Sequence, residues 1–220
     1  MKIIKPSYKI LYPDVDNPFE VADIYKRIER IARVCYKSED KITNESAERM
    51  IKALICSEHE AMIEHASMSV LFTVDRGISH EQVRHRIASF AQESQRYCSY
   101  NKDKFGNEVT FIAPFYWDDV NKRKEYEEWK CAMLAAEGTY LNLIENGATP
   151  QEARAVLPNS TKTEIVVTAS MREWRHIFKL RAAGATGSPH PQMLEVMVPL
   201  LNECRLKMPV LFDDIKPMEF

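Results

Sequence analysis

Hydrophobic positions along the chain change period several times, and each change predicts an element. Residues 2–12 mix Ile, Tyr and Leu with Lys and stop at Pro13, as a first strand would. From Phe19 the period becomes helical, with Val21, Ile24, Ile28, Ile31 and Cys35 on one face. A second helix over 44–57 turns Ala47, Met50, Ile51, Leu54 and Ile55 inward. Residues 67–75 alternate Met68, Val70, Phe72 and Val74 against Ser67, Ser69, Leu71 and Thr73, which is strand periodicity running into a turn at Arg76-Gly77. Ser79-His80-Glu81-Gln82 has the form of a capping box and predicts a short helix carrying Arg84 to Arg86, with Ser94 to Tyr97 beyond it. Residues 98–108, polar and containing Gly106-Asn107, predict a loop, and 109–112 a short strand.

Asp118 and Asp119 open a long helix in which Trp129, Met133, Ala136, Tyr140 and Leu143 fall three or four apart, ending at Asn146-Gly147. Thr149-Pro150-Gln151-Glu152 supplies an N-cap, a proline at the first helical position and a Glu completing the box. Arg154 therefore falls on a short helix closed at Leu157-Pro158. Residues 163–169 are a β-branched strand. Ser170-Met171-Arg172-Glu173 caps the helix after it, with Trp174, Ile177, Phe178 and Arg181 on one face and Arg172 with His176 on another. Gly184, Gly187, Pro189, His190 and Pro191 mark a loop before an apolar helix over 192–208, where Pro199 predicts a kink. The pattern predicts an α+β fold in a single domain, helices packed on a mostly antiparallel sheet, with no repeat or linker to divide it.

Composition narrows the function classes. A chain of 220 residues with 45% hydrophobic content can bury a real core, and a net charge of -2 argues against a surface that grips nucleic acid as a whole. The alternating charges between Asp118 and Lys130 read as a solvated face. Five cysteines, with no C-x-x-C pair, fit reduced thiols better than a disulfide framework or a zinc site. No apolar run reaches the length of a membrane helix and residues 1–6 lack a signal-peptide core, so the expectation is a cytoplasmic protein without membrane partners.

The chemistry concentrates in residues 84–97, where three arginines, a histidine and two serines occur without an Asp among them. Guanidinium groups grip phosphate or carboxylate oxygens with paired donors, and hydroxyls with the amides of Gln92 and Gln95 complete such a shell. A solvated basic turn is the plain alternative. The run His59-Glu60-Ala61-Met62-Ile63-Glu64-His65 holds two His-Glu pairs, a candidate metal cluster, although the helical His-Glu-x-x-His spacing is absent. An arginine on the stripe of Trp174 and Phe178 is costly unless Arg181 is paired or reaches past the helix end.

Arg84-His85-Arg86, seven residues and then Ser94 resembles the signature of flavin-dependent thymidylate synthases, and the likeness extends over residues 20–205. The resemblance implies an FAD enzyme that methylates dUMP, with methylenetetrahydrofolate as carbon donor and NADPH as reductant, in a homotetramer whose sites are shared between subunits. It places His59, Ala61, Arg84, His85, Arg86, Gln92, Ser170, Arg172 and His176 at the flavin. It places Glu81, Arg84, Gln92, Ser94, Gln95, Arg96, Arg154 and Arg181 at dUMP. Arg96, Arg154 and the Ser94-Gln95 turn would hold the phosphate, and Arg181 would act catalytically at N3 and O2 of the uracil. The chain departs from many members at Glu81, Ala91, Ser170 and His176, and offers only a methyl group at Ala61 where others carry a hydroxyl.

Two absences bear on the chemistry. There is no G-x-G-x-x-G after a strand and no P-loop, so side chains rather than a Rossmann unit must hold a flavin. None of the five cysteines follows a proline, so the nucleophile context of conventional thymidylate synthases is missing. The competing class is a binding module that holds RNA or a phosphorylated ligand through the arginines without turnover.

Overall fold

The computed structural model describes residues 1–100, 106–117 and 119–219. Part of the expected loop, 101–105, and the helix opener Asp118 lie outside the described residues. In chain order the elements are β1 (Lys2–Ile4), β2 (Ser7–Tyr12), α1 (Pro18–Tyr36), α2 (Ser46–Cys56), β3 (Ser67–Asp75), α3 (Arg76–Gln82), β4 (Ala88–Gln92), β5 (Thr110–Ile112), α4 (Arg123–Glu145), α5 (Pro150–Ala153), β6 (Lys162–Ser170), α6 (Met171–Arg181), α7 (Pro191–Lys207) and α8 (Pro209–Phe212). The class is α+β with an antiparallel sheet of order β2-β3-β6-β4, and β1 pairs in parallel with β5 in a separate two-stranded sheet. The single strand expected over residues 2–12 is thus two strands in different sheets, divided at Pro6, which has no N–H to donate to a ladder.

The chain forms two compact units interleaved in sequence. The first comprises Met1–Ser7, Phe72–Arg84 and Ala91–Ile165; the second Tyr8–Leu71, His85–Phe90 and Val166–Phe220. In the first, α4 buries Trp129, Met133 and Tyr140 in a cluster with Tyr100, Val109, Phe111 and Ala153. The Trp129 indole N–H donates to the Ser160 hydroxyl at 3.0 Å, so a polar atom on this apolar face is satisfied. Helix α4 ends at Asn146, followed by Gly147 at φ 93°, a backbone angle that favours glycine.

In the second unit α1 begins at Asn17, whose side chain accepts from the Phe19 amide, with Pro18 at the first helical position. It buries Val21, Ile24 and Ile28, while Cys35, expected on the same face, is exposed. Helix α6 starts as its cap predicts: the Ser170 hydroxyl accepts from the Glu173 amide at 3.2 Å. Its Trp174, Ile177 and Phe178 are almost fully buried, and the Trp174 indole donates to the Met68 carbonyl at 2.8 Å. That bond fixes α6 over the Met68 side of β3. Pro199 lies inside α7, whose buried face includes Met193, Leu200, Leu201 and Cys204.

Two local expectations are corrected here. Helix α3 is capped by Asp75, whose carboxylate accepts from the Ile78 amide at 2.8 Å. The Ser79 hydroxyl instead donates back to the Arg76 carbonyl at 3.0 Å, so it cannot serve as the cap. The helix therefore starts and ends earlier than Ser79-x-x-Gln82 predicts, Arg76-Gly77 is its first turn, and Arg84 to Arg86 fall on the turn that follows it. Residues 88–92 then form β4, a strand the local pattern did not announce.

Candidate functional site

Residues of the second unit build two clefts that share one side chain. A cleft of about 400 Å³ is lined by Glu60, Glu64, Ile87, Ser170, Arg172, Glu173, His176 and Lys179. Another of about 310 Å³ is lined by Cys35, Tyr36, Leu54, Glu58, His59, Ala61, Met62 and Arg172. Arg172 stands in both because it leaves the first turn of α6 on the exposed side, opposite Trp174. Its guanidinium Nη1 lies 2.5 Å from the Glu64 carboxylate. Thus His59, Ala61, Ser170, Arg172 and His176, separated by over a hundred positions in sequence, are gathered around two adjoining hollows.

Glu60, on the wall of the first cleft, is held by a residue that periodicity did not single out. Arg175 is 1% exposed, donates from Nε to Glu60 at 3.1 Å and forks onto Asp214 with two bonds of 2.7 Å. It also donates to the Leu211 carbonyl. These bonds hold Asp214 below its ordinary carboxyl range despite burial, and tie the Glu60–His65 turn and the chain after α8 to α6. Arg175 repeats the arginine rhythm of Arg172 in sequence, and only its small exposure tells the two apart. Among the described residues no three His, Cys, Asp or Glu side chains converge as a metal site would require. Glu60 and Glu64 instead face Arg175 and Arg172.

His85 sits apart from the two arginines that flank it in sequence. Arg84 and Arg86 are exposed and, among the described residues, have no acidic partner, whereas His85 is 7% exposed. Its Nε2 accepts a hydrogen bond from Arg181 Nε at 3.1 Å, and its Nδ1 lies 3.8 Å from Glu173 Oε1. Its ring is edge-on to His176 with centroids 6.4 Å apart. Burial first, and then the charges of Arg181 and His176, pull the His85 pKa down to about 4. His85 is therefore a buried, neutral imidazole near pH 7, with an exposed arginine on either side of it in sequence.

In the first unit the remaining expected residues fall on the α3–β4 region and the turns that follow β4 and α5. Gln92 donates to the hydroxyls of Ser79 at 2.8 Å and Thr163 at 3.3 Å, so one end of its amide is committed within the protein. Ser94 accepts from the Arg96 amide at 3.3 Å, Gln95 is buried, and the exposed Arg96 guanidinium lies 5.5 Å from the centre of the Tyr97 ring. Glu81 is partly buried. Arg154 opens the single 3-10 turn after α5 and is exposed. The Glu152 carboxylate accepts from the Thr149 amide at 2.8 Å and from its hydroxyl at 2.6 Å, which fixes the turn that carries this arginine. Among the described residues no hydrogen bond or ion pair joins Arg154 to the 94–96 turn.

Comparison with known proteins decides the family. The profile of the family described as "Thymidylate synthase complementing protein" matches residues 20–210. A flavin-dependent thymidylate synthase from Pyrococcus furiosus is 32% identical over 186 residues, 83% of this chain and 70% of that protein. The chain belongs to the flavin-dependent thymidylate synthases. A further family member, from Pyrococcus abyssi, is 35% identical over 149 residues, 66% of this chain and 58% of its own length. The fold agrees with the crystal structure of the UMP/dUMP methylase PolB from Streptomyces cacaoi bound with 5-Br dUMP. The TM-score is 0.75 at 22% identity, covering 97% of this chain and 96% of that one. Among the described residues of this flavin-dependent thymidylate synthase homologue no helix is long and apolar enough to cross a membrane.

Proposed function

We propose that this protein converts dUMP to dTMP as an FAD-dependent thymidylate synthase, with methylenetetrahydrofolate as carbon donor and NADPH as reductant. The observation that carries the reading is the position of Arg172 between two clefts whose walls also hold His59, Ala61, Ser170 and His176, in a chain of this family. The donor set suits a dinucleotide: Arg172 and Lys179 offer cationic N–H groups, and Tyr36, Leu54 and Met62 offer apolar surface. The flavin, when bound, supplies the reducing chemistry that no side chain can provide. Arg84 and Arg86, exposed and without acidic partners among the described residues, bind its anionic groups, and Arg84 also borders the nucleotide.

Arg96 and Arg154 hold the phosphate of dUMP as always-charged donors, with Ser94 and Gln95 completing the shell and Gln92 and Glu81 bordering it. Positioning of the pyrimidine by such contacts supplies much of the acceleration. Arg181 stabilises charge that develops at N3 and O2 of the uracil. No cysteine attacks the ring: none of the five follows a proline, and the buried Cys204 has its thiol pKa raised by burial. The working form is a cytoplasmic homotetramer.

The test is direct. Purified protein is denatured and the released chromophore identified, and the intact protein is then assayed for dTMP with labelled methylenetetrahydrofolate and NADPH. Release or rebinding of FAD together with dTMP formation is the expected result. Absence of flavin before and after FAD addition leaves the binding-module reading standing, and loss of activity in any single Cys→Ala variant that keeps its flavin reinstates a cysteine mechanism.

A further inference from the structure

A guanidinium group has donors only, so a 3.1 Å contact between Arg181 Nε and His85 Nε2 requires a lone pair on that ring nitrogen. The proton of neutral His85 must then reside on Nδ1. The nearest acidic oxygen to Nδ1 is Glu173 Oε1 at 3.8 Å, beyond a direct hydrogen bond but close enough for a buried carboxylate to favour the ring orientation with its N–H toward it. Glu173 is itself 8% exposed and held in place by the Ser170 cap. Arg181 closes the same helix that Glu173 opens, so α6 supplies both ends of the chain Glu173, His85, Arg181. The arginine's Nε is committed to His85, and that bond fixes the plane of its guanidinium.

We propose that Glu173 is a positioning residue: it fixes His85 as the Nδ1–H tautomer, and His85 in turn orients the Arg181 guanidinium toward the substrate. Its bearing on catalysis rests on the thymidylate synthase reading, while the tautomer itself does not. The family resemblance names His85 and Arg181 separately and does not name Glu173, although Glu173 bonds Ser170 and lines the same cleft.

Nitrogen NMR of ligand-free protein carrying ¹⁵N-labelled histidine, assigned with a His85→Gln variant, reads the tautomer without any turnover. The wild type is expected to show a protonated Nδ1 and an unprotonated Nε2 on His85 at pH 7. Glu173→Gln, which keeps the shape and removes the charge, is expected to populate the other tautomer. In steady-state assays the same variant should lose about tenfold in kcat, by analogy with misoriented catalytic dyads at the mild end of their range, at unchanged flavin content and melting temperature. A wild-type His85 protonated at Nε2, or an unaltered tautomer in Glu173→Gln, overturns the relay. An altered tautomer with unchanged kcat overturns its role in orienting Arg181. If the wild type neither binds flavin nor makes dTMP, the functional reading has failed and the NMR result alone decides the relay.

Discussion

Arg172 and Glu64 meet at 2.5 Å where two clefts adjoin, and both side chains are about half exposed, 49% and 50%. An ion pair so open to water is worth little to folding, in the range of about 0–1 kcal/mol. Its value lies in keeping the guanidinium at the point where an anionic cofactor group would compete with the carboxylate.

Glu64→Gln should therefore change unfolding free energy by less than about 1 kcal/mol and leave flavin affinity equal or tighter. Arg172→Ala should weaken flavin binding by at least about tenfold, equivalent to one charge-assisted hydrogen bond. Flavin fluorescence titration of both variants measures this, and weaker binding by Glu64→Gln would show that Glu64 organises Arg172 for the ligand instead of competing with it.

Arg175, three positions along, should behave oppositely. It is 1% exposed, and its removal leaves Glu60, which is 18% exposed, with the longer 3.8 Å contact to Lys179 and uncaps the half-exposed Asp214. Arg175→Met is expected to cost about 3 kcal/mol in urea unfolding, the lower end of the range for breaking a buried pair by removing one partner. A loss below about 1 kcal/mol would mean that the network is as weak as a surface pair.

Arg154 and Arg181 separate binding from chemistry. A phosphate contact is made in ground and transition states alike, so Arg154→Ala should chiefly raise KM for dUMP. Arg181 acts on charge that develops during activation, and Arg181→Ala should lower kcat by about 10²-fold, as removal of an oxyanion donor does. Steady-state kinetics with flavin content measured in parallel decides it; an Arg181→Ala enzyme with normal kcat and only a raised KM would remove Arg181 from the chemistry.

Burial of His85 has a signed consequence for acid stability. Its pKa falls from 6.5 to about 4 on folding, with Arg181, His176 and Glu173 as the charged or titratable neighbours. Above about pH 6.5 neither state holds the proton and nothing is lost. As pH falls toward about 4 the unfolded chain takes up a proton that the folded one refuses, so stability declines across that window, by up to about 3 kcal/mol at roughly 1.4 kcal/mol per pKa unit. Below it both states are protonated. Chemical unfolding of wild type and His85→Gln between pH 7 and pH 4 should show a shallower decline in the variant, and equal slopes would mean that His85 titrates normally.

Elements whose cause is local were legible from the amino-acid sequence. Strand β3 follows its alternation from Ser67 to Asp75, and helix α6 begins where Ser170 can cap it, because a side-chain period or a cap needs only residues within one turn or one pleat. The family signature from Arg84 to Ser94 was legible for the same reason, as an unbroken spacing. What the tertiary structure decided depends on partners that sequence does not bring near. Strand β4 is a strand because β6 is there to pair with it, and residues 2–12 divide because two different sheets claim the halves on either side of Pro6. Arg175 became the buried anchor and Arg172 the exposed one, although both belong to the same helix turn, since Glu60 and Asp214 lie 115 and 39 residues away. The protonation of His85 was decided by the fold as well: an imidazole's ordinary pKa of 6.5 lies close to neutral pH, and desolvation beside Arg181 lowers it to about 4, since the free energy of a charge is set by what surrounds it in space.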